Sequence, residues 1–166
     1  MTTVLDDLKR KLADNPAGIL ENIAKEHQVC LADAIKCLPA DMWRELSGDH
    51  FERVIKEVPD WGQVTTIANT GDMIFEVSGD FPQGTFARGY YNLKKTQGGF
   101  SGHIKEDACH SILFLKRPFF SKLSASINFV NEQGNCYLKI FLGRDEGGEL
   151  RADQLEKFHA LSNWEH

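Results

Sequence analysis

The sequence FARGYYNLKKTQGGFSGHIKEDAC, residues 86–109, decides the fold that we predict for this chain. Two runs within it, 88–93 and 100–105, have the aromatic and apolar residues of short strands. The segment between them is a polar turn made of Lys94, Lys95, Thr96, Gln97, Gly98 and Gly99. Because glycine and polar residues are typical of hairpin loops, the stretch is predicted to fold as a β-hairpin.

The apolar residues of the two runs predict a register in which Leu93 pairs with Phe100. Side chains alternate across a strand, so this register divides the hairpin into an apolar face and a polar face. The apolar face, turned towards a core, holds Leu93, Phe100, Tyr91 and Ile104. The polar face holds Arg88, Tyr90, Asn92, Ser101, His103 and Lys105. In this register Tyr90 lies directly opposite His103, with Cβ atoms about 5 Å apart.

The polar face has two interpretations. One face of an antiparallel sheet is usually solvated, and Tyr90 beside His103 is then only a cross-strand pair. The alternative is a ligand site, because a phenol, an imidazole and the guanidinium of Arg88 are groups that bind a metal or an oxyanionic ligand. Neighbouring glycines leave the approach to this face uncrowded.

The rest of the chain surrounds this hairpin with helices and strands. Residues 1–60 have mainly helical spacing of apolar residues, residues 61–145 change to antiparallel strands, and residues 149–166 return to a helix. We therefore predict one α+β domain over residues 1–166, with short N-terminal helices, a mostly antiparallel β-sheet and a C-terminal helix. Smaller features are predicted as a connector over 39–48, a loop over 79–84 and a short turn of helix over 119–123.

Composition limits the partners of the chain. With 24 acidic and 19 basic residues its net charge is −5, which opposes binding to nucleic acid. No apolar run approaches the roughly 18 residues that span a bilayer, and the N-terminus lacks a secretory signal, so a cytoplasmic protein without membrane insertion is expected. The four cysteines form no zinc motif and are predicted to be small buried hydrophobic residues.

Several motifs together resemble one known family. They are VTTI at 64–67, GDFPQG at 79–84, RGYYNL at 88–93, SGHIK at 101–105 and KIFLGRD at 139–145. In this order and spacing they resemble the HutX/ChuX family of bacterial intracellular haem-utilisation carriers. The resemblance implies a homodimer that binds haem b in the cytoplasm and passes it to a haem-degrading enzyme, without catalysis of its own. It also implies a fold like one repeat of the larger ChuS/HemS proteins.

The resemblance also implies candidate iron ligands. The histidine of SGHIK, implicated in haem binding in the family, is His103, whereas a second histidine of some members is replaced by Asn69. This replacement moves the expectation towards Tyr90 as the ligand of ferric iron, with Arg88 stabilising the phenolate and His103 as the alternative. Tyr91 is the competing phenol, although the predicted register turns it towards the core.

Other candidates concern the porphyrin rather than the iron. Candidate partners of the haem propionates are Lys94, Lys95, Lys105 and Arg117. Phe86 and Phe81 could pack on the porphyrin or belong to the core. Two alternative functions stay open, a haem-degrading enzyme that uses an external reductant and a haem storage or sensor protein. The sequence contains no flavin or nicotinamide motif that would supply electrons.

Overall fold

A computed structural model describes residues 2–95 and 99–165 of the chain. The helices are α1 (Val4–Asp14), α2 (Leu20–His27), α3 (Leu31–Lys36), α4 (Phe51–Glu57) and α5 (Ala152–Ser162). The strands are β1 (Trp43–Ser47), β2 (Gln63–Asn69), β3 (Ile74–Asp80), β4 (Gly84–Ala87), β5 (Tyr90–Leu93), β6 (Gly102–Lys105), β7 (Ser111–Phe119), β8 (Lys122–Val130) and β9 (Cys136–Leu142). Short 3-10 helices occupy Ala40–Met42, Gly48–His50 and Val58–Trp61.

The described strands form two separate sheets. The larger has six strands in the order β1-β7-β8-β9-β2-β3, and the smaller has three in the order β4-β5-β6. All pairings between these neighbouring strands are antiparallel. The predicted α+β fold, with N-terminal helices, antiparallel strands and a C-terminal helix, is therefore confirmed. The strands within residues 86–109 belong to the smaller sheet.

The N-terminal helices cover part of one face of the larger sheet. α1 begins at a capping box, in which Thr3 and Asp6 each accept a hydrogen bond from the backbone N–H of the other. The helices and this face share a buried cluster of Leu8, Leu12, Leu20, Ala34, Ile35, Leu113, Leu115 and Val130. Burying a side chain of leucine size contributes roughly 1.5–3 kcal/mol, so this cluster holds the helices on the sheet.

The opposite face of the larger sheet carries the main core. This core collects large side chains from the helices and from both sheets, among them Phe51, Trp61, Phe81, Tyr91, Phe114, Phe129 and Phe158. The Phe51 ring of α4 lies 5.9 Å from the Tyr91 ring of β5 and 5.8 Å from the Phe129 ring of β8. α4 therefore packs against both sheets and positions the smaller sheet relative to the larger one.

Three local predictions differ from the structure. The predicted connector over 39–48 contains β1, a five-residue edge strand in which Leu46 is the one buried residue, so its alternation is weak. The predicted loop over 79–84 is shorter, since β3 continues to Asp80 and β4 begins at Gly84. The predicted helical turn over 119–123 is a β-turn at Phe120 and Ser121, both with positive φ, between β7 and β8.

β7 contains a proline, Pro118, next to its last residue. A proline cannot donate a backbone hydrogen bond, so it normally ends a strand or lies at an edge. β1 pairs with β7 only as far as Leu115, so among the described residues no strand pairs with the later part of β7 on that side. Pro118 is therefore tolerated, and β7 continues to Phe119 opposite β8.

None of the helices within residues 2–95 and 99–165 has the length and apolar character needed to cross a membrane. The four cysteines are free, and Cys37 is buried whereas Cys30, Cys109 and Cys136 are half-buried. The prediction of small buried residues is thus met in full only at Cys37.

The raised pKa values of two of these thiols lead us to expect that the protein loses stability at alkaline pH. Burial raises the pKa of Cys109 from 9.0 to about 11 and that of Cys136 from 9.0 to about 12. The unfolded chain ionises these thiols at lower pH than the folded protein does. Their contribution to stability is therefore complete below pH about 9 and lost as the pH rises towards 11 and 12.

Urea unfolding between pH 7 and 11 tests this expectation. The free energy of unfolding should fall above pH about 9, and it should fall less steeply in the double variant Cys109→Ala, Cys136→Ala. The comparison concerns the slope against pH, so a constant loss of packing in the variant does not affect it. Equal slopes in the two proteins would show that the thiols do not cause the effect.

Candidate functional site

A two-residue turn opens the smaller sheet. β4 pairs with β5 so that Ala87 lies opposite Tyr90, and Arg88 and Gly89 form the turn between them. Their φ values are 57° and 80°, the left-handed pair that a type I′ turn requires. The strand predicted to start at Arg88 therefore starts at Tyr90. Arg88 is exposed in the turn, and its predicted place on the strand face with Tyr90 is wrong.

The pairing of β5 with β6 is shifted by two residues from the predicted register. Leu93 lies opposite Gly102, not opposite Phe100. The connection between these strands is accordingly longer than the predicted turn over 94–99, of which residues 96–98 lie outside the described residues. Because side chains alternate with a period of two, this shift leaves each side chain on its predicted face and changes only its partner.

The solvent face of the smaller sheet brings the polar candidates together. His103 lies opposite Asn92, and Tyr90 lies opposite Lys105, so the predicted direct pairing of Tyr90 with His103 is wrong. The two rings are diagonal neighbours with centroids 6.0 Å apart, in an edge-to-face arrangement. Tyr90 is 37% exposed, and His103 and Lys105 are exposed. A phenol, an imidazole and an ammonium group are thus open to a ligand on one face.

Asn92 connects these residues across the sheet. Its Oδ1 lies 2.6 Å from Nδ1 of His103, and its Nδ2 donates to the carbonyl oxygens of Ala87 and Tyr90 at 3.2 and 3.3 Å. The predicted alternation of side chains places Asn92 on this face without a role. Asparagine is depleted in strands, so its position inside β5 was the available signal.

Tyr91 occupies the other face of β5. It is fully buried, and its ring lies 5.0 Å from that of Phe86 and 5.9 Å from that of Phe51. Its hydroxyl has no hydrogen-bond partner among the described residues, and burial raises its pKa. The predicted core orientation is confirmed, with Ile104 in place of Gly102 as the opposite residue. The phenolate of Tyr91 is disfavoured, and the group is withheld from solvent.

The two phenylalanine candidates also lie away from Tyr90. Phe86, also 37% exposed, pairs with Tyr91 and shares its face of the sheet, where its ring lies 5.7 Å from Nζ of Lys56. Phe81 is buried, with its ring 5.8 Å from that of Phe100. Phe81 is therefore a core residue. Phe86 lies at the border of the core, on the face of the smaller sheet opposite to Tyr90.

The basic residues that are candidate partners of the haem propionates lie in three separate places. Lys105 lies on the solvent face of the smaller sheet, opposite Tyr90. Lys94 and Lys95 line a separate cleft beside the end of β3. Arg117 is buried in β7, where its Nη1 donates to the carbonyl oxygens of Pro16 and Gly18 at 2.9 and 2.7 Å. Burial lowers the pKa of Arg117 to about 10. Arg117 therefore tethers the loop between α1 and α2 and does not join the polar face.

Asn69 has a local structural role. It ends β2, and its Oδ1 accepts a hydrogen bond from the backbone N–H of Gly71 at 2.9 Å. An asparagine that bonds the backbone two residues later is a common device of turns. The side chain of Asn69 thus shapes the connection between β2 and β3.

Comparison with known proteins places the chain in a family. A family model described as "Haem utilisation ChuX/HutX" matches residues 44–161. This chain belongs to the ChuX/HutX family. Intracellular heme transport protein HutX of Vibrio cholerae serotype O1 is 34% identical over 161 residues, covering 97% of this chain and 83% of that protein. The predicted family resemblance is confirmed.

Solved structures support the same ChuX/HutX fold. The heme-binding protein ChuX has 39% sequence identity and a TM-score of 0.85, covering 94% of this chain and 97% of ChuX. ChuS, a heme oxygenase of E. coli, has 14% identity and a TM-score of 0.74, covering 96% of this chain and 48% of ChuS. The second likeness concerns the fold alone. It confirms that this chain corresponds to about half of a ChuS-type protein.

Proposed function

We propose that this chain binds haem b on the solvent face of the smaller sheet and carries it, in the cytoplasm, to a haem-degrading enzyme. One observation carries the proposal. In a member of the ChuX/HutX family, the exposed Tyr90 phenol and His103 imidazole lie on one face with ring centroids 6.0 Å apart. Tyrosine, through its phenolate, and histidine, through its imidazole, are both known protein ligands of haem iron.

Tyr90 is the proposed ligand of ferric iron. Its ring is accessible, whereas the competing phenol of Tyr91 is buried and its pKa is raised by burial. Lys105, opposite Tyr90 in the register, is the cation that the face itself offers to the phenolate or to a propionate. Arg88 can contribute only from the adjacent turn. Lys94 and Lys95 remain candidates for a propionate that extends to their cleft.

His103 is the proposed alternative ligand when the iron is reduced. A phenolate favours ferric iron, and imidazole binds haem iron in both oxidation states. Reduction would therefore weaken the bond to Tyr90 and assist release. Two donors on one face of one sheet cannot easily reach opposite sides of a porphyrin, so only one of the pair would bind the iron in a given state, unless a second chain contributes.

A carrier is favoured over a degrading enzyme. The relative that is 34% identical is a transport protein, and the likeness to the heme oxygenase ChuS, at 14% identity, concerns the fold only. A degrading enzyme would also need an electron source. A storage or sensor protein differs from a carrier in one measurable property, since only a carrier passes its haem faster to a specific acceptor.

One experiment on the loaded protein tests the proposal. Titration with ferric haem should saturate at about one haem per chain, and mixing with a haem-degrading enzyme should remove the haem faster than mixing with apomyoglobin. Because the chain carries a net charge of −5, transfer to an enzyme with a basic docking patch should be faster at low salt. Equal rates with both acceptors at all salt concentrations would mean simple dissociation.

A second measurement, with a reductant added, distinguishes a carrier from a haem-degrading enzyme. Under air, with ascorbate and catalase present, the Soret band of the loaded carrier should persist. Its decay to a biliverdin spectrum would identify a degrading enzyme instead.

We also propose that the protein is a homodimer. The two copies would join through the face of the larger sheet on which the N-terminal helices pack, in the part that these helices leave uncovered. The N-terminal helices bury only part of that face, and β3 is an edge strand. Ile74 of β3 is 61% exposed, and it shares the uncovered face with Ile67 and Phe141. Accessible apolar side chains next to an open sheet edge favour pairing with another copy. The same concave region contains Glu76 and Arg144, opposite charges that a two-fold axis could pair between copies.

A further inference from the structure

The contact between Asn92 and His103 is the shortest side-chain hydrogen bond described on the solvent face of the smaller sheet. Oδ1 of Asn92 and Nδ1 of His103 are 2.6 Å apart, and the two residues lie directly opposite each other in β5 and β6. His103 is exposed, while Asn92 is half-buried. The imidazole is therefore anchored at Nδ1 by a group that is itself fixed in the sheet.

The surroundings of Asn92 decide which way its amide points. Nδ2 lies 3.4, 3.2 and 3.3 Å from the carbonyl oxygens of Thr85, Ala87 and Tyr90. Carbonyl oxygens only accept hydrogen bonds, so the NH2 group must face them. The opposite orientation would place Oδ1 against three acceptors. Oδ1 consequently faces His103.

An acceptor at Nδ1 determines the tautomer of the neutral imidazole. Neutral histidine has one ring N–H and one bare nitrogen, and the N–H must lie where the acceptor is. In His103 the proton is therefore on Nδ1, and Nε2 carries the free lone pair. Histidines that bind metals commonly donate their other ring N–H to such a partner, which orients the ring and fixes the tautomer.

We propose that Asn92 is a positioning residue that holds His103 as the Nδ1–H tautomer, with Nε2 available to haem iron. The role towards haem rests on the function proposed above. The tautomer itself is a property of the ligand-free protein, so it can be measured independently. Through its bond to the carbonyl oxygen of Tyr90, Asn92 also couples the backbone at the other proposed ligand to His103.

Two substitutions separate this role from a structural one. Asn92→Ala and Asn92→Asp both remove the NH2 donor from the three carbonyl oxygens, so both lose whatever those bonds contribute to the sheet. Only Asn92→Asp keeps an oxygen that can accept from Nδ1. Both variants should therefore lose stability, Asn92→Asp the more because its second carboxylate oxygen faces three carbonyl acceptors, and they should differ in the tautomer of His103.

The tautomer is measured by proton–nitrogen correlation spectra of the histidine rings in the 15N-labelled, haem-free protein. At about pH 8.5, two units above the ordinary histidine pKa of about 6.5, neutral rings can be compared. His103→Gln identifies the signals. The native protein and Asn92→Asp should show a protonated Nδ1, and Asn92→Ala should show a mixture of tautomers. A proton on Nε2 in the native protein, or an unchanged tautomer in Asn92→Ala, would overturn the inference.

The haem complex supplies the second readout. After reduction of the iron, Asn92→Ala should release haem about 10 to 100 times faster than the native protein, as expected for loss of a partner of a ligating histidine. Asn92→Asp should show a smaller increase. An unchanged release rate in Asn92→Ala would overturn the positioning role. If the native protein bound no haem, the proposed function would fail, and the spectra of the free protein would still decide the tautomer.

Discussion

Tyr90→Phe is expected to abolish the phenolate charge-transfer band of the ferric haem complex and to raise the rate of haem dissociation by more than about tenfold. Loss of an outer partner of a metal ligand typically costs 10- to 100-fold in affinity, and loss of the ligand itself should cost at least as much. The substitution removes one oxygen from a ring that is 37% exposed, so the fold should be unaffected. Visible and resonance Raman spectra, together with haem transfer to apomyoglobin, measure both effects.

Tyr91→Phe is the matched control for this experiment. It makes the same chemical change one residue away, on the buried face of β5. The Tyr91 hydroxyl has no hydrogen-bond partner among the described residues, so its removal should leave the free energy of unfolding unchanged or slightly higher. The haem spectrum and the dissociation rate should match those of the native protein.

His103→Ala completes the series. It should leave the ferric spectrum in place and accelerate release only after reduction, since Tyr90 is the proposed ferric ligand. The opposite pattern would reject the assignment of Tyr90. If Tyr90→Phe changed neither band nor rate while His103→Ala abolished the ferric complex, His103 would be the ferric ligand.

For the hairpin of β5 and β6, the sequence was sufficient to predict which side chains face the core and which face solvent. It was not sufficient to predict which residues pair across the two strands. Alternation of apolar and polar residues correctly assigned Tyr91 and Leu93 to the core and Tyr90 and His103 to solvent. A register shift of two residues preserves this alternation, so the pattern alone could not distinguish the two pairings. The length of the connection after Leu93 decides between them, and its polar residues contain no signal that fixes that length.

Arg88 shows a second limit of the sequence. A type I′ turn usually has asparagine, aspartate or glycine at its first central position, and an arginine there gives no turn signal. The run from residue 88 therefore reads as the start of a strand. Without the turn, β4 is not predicted as a strand, and the arginine is placed on the face with Tyr90. The role inferred for Asn92 also depends on β4, since its amide bonds to carbonyl oxygens of that strand.

Ile74→Asp is expected to convert the proposed homodimer into monomers. Each copy would contribute one Ile74, and burying an isoleucine contributes roughly 1.5–3 kcal/mol, so a two-fold interface loses about 3–6 kcal/mol per dimer. That loss weakens association by about 100-fold or more, before the cost of burying two carboxylates is added. Sedimentation at micromolar concentration should change from twice the 18.7 kDa mass of one chain to a single chain.

Val4→Asp provides the control, because Val4 is also β-branched and 51% exposed but lies at the start of α1. An aspartate in the first turn of a helix interacts favourably with the helix dipole, so this variant should fold and remain a dimer. Circular dichroism of both variants checks that any change in mass is not caused by unfolding. A native protein that sediments only as a single chain would refute the homodimer. A folded Ile74→Asp protein that remains dimeric would instead place the interface elsewhere than the uncovered face of the larger sheet.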